Sequence, residues 1–280
     1  MIFALSLQQN SGMDIVERNF FRLLRSGAFG SEEQIEALSA WKWNRLFQLS
    51  EMHDVAPVVY AGIMRCSDQF AVQVPGELLR RWGEARSHDT DAENVLLSAD
   101  RLTNPVLNRR LQGILDSEDS NTVTRAALLH LTGIVRFVMN AGVPVKRLTE
   151  LGVLLRQSAD SIDFIAVGEW IARLRLEPMA QLTGVMLVKL LHFAPEEVPF
   201  MRPEAEGLME QQLREMLQQR NSHAEEWYFS QGKNIFVHTS NPGAMLWHVR
   251  RSTKYFRYYP AETLTNFITS FAHSLSHIEE

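Results

Sequence analysis

One cysteine, Cys66, stands in 280 residues, so no internal disulfide can form and no spaced Cys/His set offers zinc its four ligands. A reducing compartment such as the cytoplasm fits a chain of this kind. Long apolar runs are missing too, and none approaches the roughly 20 residues that a membrane helix needs. The opening MIFALSLQQNSG has no basic residue ahead of its short apolar stretch and no small-residue cleavage pattern, so it makes a poor secretory signal. A basic excess is also lacking. With 28 Lys+Arg against 33 Asp+Glu the net charge is −5, which disfavours bulk nucleic-acid binding and confines any phosphate site to a local patch.

The common catalytic signatures fail one by one. A Walker loop needs glycine amides ahead of Lys and Ser/Thr, but Gly232-Lys233 is followed by Asn234, and Trp227 occupies the first glycine's place. No G-x-S-x-G elbow surrounds a serine. Cys66 lies in GIMRCSDQF without a catalytic signature and reads as a buried or idle thiol. His273 and His277 are four apart and share a helix face, yet no HExxH glutamate accompanies them, so they read as solvent-exposed rather than as metal ligands. His53, His130, His192 and His248 are scattered singly and read as partly buried, hydrogen-bonded side chains. Asp89 and Asp91 form the one D-x-D triplet. Two-metal nucleotidyl transfer uses such a pair on a strand, whereas residues two apart on a helix point roughly 200° from each other. No metal, cofactor or catalytic set is therefore assigned.

What the chain has is helical spacing. Leu128, Leu131, Val135 and Val138 step by three and four, as do Met179, Leu182, Met186, Leu190 and Phe193, and Leu264, Phe267, Phe271, Leu275 and Ile278. Ser31 with Gln34 gives a capping-box pattern, while Gly27, Gly30 and Gly142 sit where helices should stop. Prolines such as Pro57, Pro75, Pro105 and Pro178 mark further breaks. The expectation is an all-α assembly of about ten or more helices. Residues 179–193, apolar nearly all round, should form a central helix, and the Glu/Gln/Arg-rich 203–226 a surface one. Residues 227–240 offer the one strand-like alternative, a short hairpin. DSEDSNT, residues 116–122, is the best candidate boundary between helical regions 1–118 and 119–280, expected to pack as one unit.

The stretches FFRLLRSGAFG, WNRLFQLSEMHDVAPVVYAGI and VPGELLRRW, with GIVRFVMNAGVPVKRLTELGVLL, resemble the helical regions of a family of uncharacterised bacterial nucleotidyltransferase-like proteins of the polymerase β superfamily. Gly142, Lys146 and Glu150 stand where that family has a glycine turn, an arginine and an aspartate. QGKNIFVH retains Gly232, Asn234 and Phe236 of its Gly-Asn-Phe-Gly-like turn, and RRSTKYFRYYPAE matches its closing basic helix and Tyr-Pro-Glu-like corner. The resemblance spans most of residues 15–265. Between Leu115 and Val123 the family carries an α/β module with Gly-Ser and Asp-x-Asp signatures, and this chain has a linker too short for a sheet. The resemblance thus implies a helical shell without its catalytic core, which weighs against autonomous nucleotidyl transfer.

One stretch stands out against the acidic whole. WHVRRSTKYFRYYP, residues 247–260, holds four positive charges and no negative one. On a helix turning about 100° per residue, Arg250, Arg251, Lys254 and Arg257 converge on one side with Trp247 and Tyr258. Val249, Phe256 and Tyr259 point towards a core. Such a face can hold phosphates by charge and stack a base, though a solvated face is the plainer account. Lys146 and Glu150 meet at i, i+4 in the weaker orientation for an ion pair. Arg136, Arg147 and Arg156 read as helix-surface charge. The sequence points to a non-catalytic binding or regulatory module for a phosphate-bearing ligand, such as a nucleotide, or for a protein partner. The alternatives are a divergent Mg-dependent nucleotidyltransferase using Asp89 and Asp91, or a helical subunit that completes a separate catalytic chain.

Overall fold

The computed structural model describes residues 13–86, 102–117, 121–141, 145–201, 259–261 and 263–265. Among them nine α-helices form and no strand: α1 (Ile15–Phe29), α2 (Ala40–Met52), α3 (Ala56–Arg65), α4 (Gly76–Arg86), α5 (Pro105–Leu115), α6 (Thr122–Ala141), α7 (Val145–Ser158), α8 (Phe164–Arg173) and α9 (Glu177–Leu191). Residues 260–261 and 263–265 are helical too. The all-α, multi-helix expectation holds. The hairpin alternative at 227–240, the surface helix at 203–226 and Gly142 lie outside the described residues. Pro57, Pro105 and Pro178 fall in the first turns of α3, α5 and α9, where a missing N–H costs nothing.

The chain divides into two compact units. Unit 1 takes residues 1–99, 144–157 and 186–194, and unit 2 takes 100–143, 158–185 and 195–280. The 116–122 segment therefore lies within unit 2, and its last residue, Thr122, begins α6.

Unit 1 is built on α1. Asp14 closes its N-terminus with a capping box, accepting from Val16 N and Glu17 N at 2.8 and 2.9 Å while the Glu17 carboxylate accepts from Asp14 N at 2.8 Å. Gly30 ends the helix in the left-handed region, φ 70°, as the sequence suggested. Gly27 does not stop it. A Cβ there would lie 1.9 Å from Val58 O on α3, so the glycine serves close helix packing inside α1. The core gathers Phe20, Leu23, Leu24, Trp43, Leu46, Phe47, Val59, Ile63 and Trp82. Trp82 donates its indole N–H to Ser50 Oγ at 3.0 Å, and Ser50 donates onward to Phe47 O at 2.6 Å, which lets an amphipathic ring sit in apolar surroundings.

Ser31 and Gln34 do not start a helix either. Residues 31–38, between the caps Gly30 and Ser39, are not helical, and other groups take part of their backbone. Asn19, fully buried, accepts from Glu36 N at 3.0 Å and donates to Glu36 O at 2.8 Å. Gln69 does the same one step back, accepting from Ile35 N at 3.0 Å and donating to Glu33 O at 2.7 Å. Two carboxamides thus satisfy the segment as a neighbouring strand would, and the helix waits for its cap at Ser39.

In unit 2 the N-caps also reach distant parts of the unit. Asn104 caps α5 through Oδ1 and donates from Nδ2 to Thr265 Oγ1 at 3.0 Å. Asn121 accepts from Thr124 N and donates to Ser161 O, both at 2.7 Å. Asp163 caps α8 while its own N–H donates to Thr124 Oγ1 at 3.0 Å. The expected stripe Leu128, Leu131, Val135 and Val138 is buried, and residues 179–187 of α9 are buried without interruption. Leu264 departs from expectation. It is exposed, while Tyr259 and Thr263 turn inward, and the rest of its proposed stripe lies outside the described residues.

Candidate functional site

A buried arginine, an exposed histidine and two aromatic rings meet at the C-terminal end of α9 in unit 1. The helix ends on His192, a non-glycine residue in the left-handed region at φ 55°. Arg25, from α1, donates Nη1 to Leu190 O at 2.9 Å and grips Glu33 through Nε and Nη2 at 2.6 and 2.8 Å. Its side chain is only 6% exposed, and a guanidinium so withdrawn from water needs this many partners. Arg156, from α7, lies 4.0 Å from the ring centre of Phe193 and 4.6 Å from that of Phe29. The two rings meet edge to face at 5.5 Å. Arg156 also donates Nη2 to His192 O at 3.3 Å. One guanidinium therefore binds a carbonyl in the last turn of α9 and the other binds that of His192 just beyond it, where the helix dipole favours positive charge.

Glu36 is shared by two arginines. Arg18 donates to both its oxygens at 2.9 Å, and Arg22 donates to Oε1 at 2.7 Å. The hydrogen bonds from Arg18 hold the Glu36 carboxyl below its usual range, against an opposing effect of desolvation. His192 shifts as well. Its residue is exposed, but partial withdrawal of the ring from water lowers its pKa most, and the charges of Arg25, Arg22 and Arg156 act the same way against Glu33.

Of the residues singled out on sequence, Lys146 and Glu150 lie on α7. Lys146 Nζ pairs with Asp54 Oδ2 at 2.5 Å, Asp54 being the left-handed residue that follows α2. An exposed pair of this kind contributes little stability. Trp247, Arg250, Arg251, Lys254, Arg257 and Tyr258 lie outside the described residues, as do Asp89, Asp91, His248, His273 and His277. Cys66 is buried and donates to Ser26 Oγ at 3.6 Å. From sequence, Arg156 read as surface charge, Leu190 and Phe193 as part of an apolar stripe and His192 as a partly buried side chain, whereas the His192 residue is exposed; their meeting with Arg25 was not legible, because Arg25 and Leu190 meet across 165 residues. Among the described residues no group of three or more His, Cys, Asp or Glu could hold a metal ion, and no helix is long and apolar enough to cross a membrane. No family model, curated protein or solved structure matches the chain.

Proposed function

We propose that the chain is a binding or regulatory module that engages a phosphate-bearing ligand or an acidic protein surface through residues 247–258. The feature that carries this reading is the sequence run WHVRRSTKYFRYYP, whose Arg250, Arg251, Lys254 and Arg257 would converge with Trp247 and Tyr258 on one face of a helix, in a chain of net charge −5. The resemblance to the helical shell of nucleotidyltransferase-like proteins supports it, since a basic face beside such an active site would hold a triphosphate. The same resemblance, missing its α/β module, favours binding over turnover.

The test is a thermal-shift series with each nucleoside triphosphate, with and without Mg²⁺, on the wild type and on a variant with those four charges reversed. A ligand at about 100 times its Kd adds roughly 2.7 kcal/mol, enough to raise Tm by a few degrees. The expected result is a shift that disappears in the variant. A shift that the variant retains would overturn the assignment to this face. No shift with any nucleotide would remove the ligand half of the proposal, and unchanged recovery of protein partners by the variant would remove the other half.

A further inference from the structure

We draw no further inference here: the strongest candidate, the side-chain cluster in unit 1 that sets the arginine row Arg18, Arg22 and Arg25 of α1 against the acidic segment 31–38, carries nothing because each guanidinium is already held by Glu33 or Glu36 and nothing in the structure shows what would displace them.

Discussion

Gly27 on α1 and Gly62 on α3 exclude side chains from each other's neighbourhood. A Cβ on Gly27 would meet Val58 O at 1.9 Å and Gly62 N at 2.9 Å, and one on Gly62 would meet Leu23 O at 1.9 Å. Each obstacle is backbone, which cannot turn aside as a flexible side chain can. Gly27→Ala must push the helices apart and should cost about 3 kcal/mol, the upper end of overpacking. Gly168→Ala is the control. It sits in α8 with nothing within 4 Å of its would-be Cβ, so it should stabilise by about 0.5–1 kcal/mol. Urea unfolding of both variants checks the pair, and equal effects would contradict the packing argument.

Asn19 is buried with both halves of its carboxamide on the backbone of Glu36. Asn19→Ala leaves one donor and one acceptor to find water at the edge of the unit, for a loss of about 2 kcal/mol. The amide of Glu36 should lose its protection in hydrogen exchange. If that amide exchanges at the wild-type rate in the variant, the side chain does not hold the segment.

The pH dependence follows from His192 and Glu36. The folded chain depresses the His192 pKa, so just below the ordinary 6.5 the unfolded chain binds more protons and stability falls as pH falls. Glu36, also depressed, contributes stability above its ordinary 4.5 that is lost on further acidification. Urea midpoints measured from pH 7.5 downward should decline in two stages. His192→Asn should flatten the first stage and leave the second. A midpoint constant between pH 7.5 and pH 5 in the wild type would exclude the His192 contribution.

Tyr259 anchors the 259–265 segment in unit 2 by donating its hydroxyl to Leu174 O at 3.0 Å, beside Arg173, whose carbonyl accepts from Arg110 at 3.2 Å. Tyr259→Phe keeps the buried ring and deletes one bond, so it should cost about 1 kcal/mol. Tyr259→Ala empties a site that is 1% exposed and should cost roughly 3–5 kcal/mol. Differential unfolding of the two variants separates the bond from the ring.

Periodicity and punctuation determined much of this protein from sequence. The stripe from Leu128 to Val138, the buried run of α9, the stop at Gly30, the breaks at Pro57 and Pro105 and the inward Tyr259 were legible because each depends on residues close by in the chain. Local signals misled where a distant backbone or side chain outweighed them. Gly27 looked like a helix end until α3 lay against it, and Ser31 looked like a cap until Asn19 and Gln69 took the following backbone. The α9 corner was decided by tertiary structure alone. Nothing within a helical turn of Arg25 marks it as a partner of Leu190 or Arg156 as a neighbour of Phe29, since only the fold brings such groups within reach, and charges separated along the chain interact by distance in space.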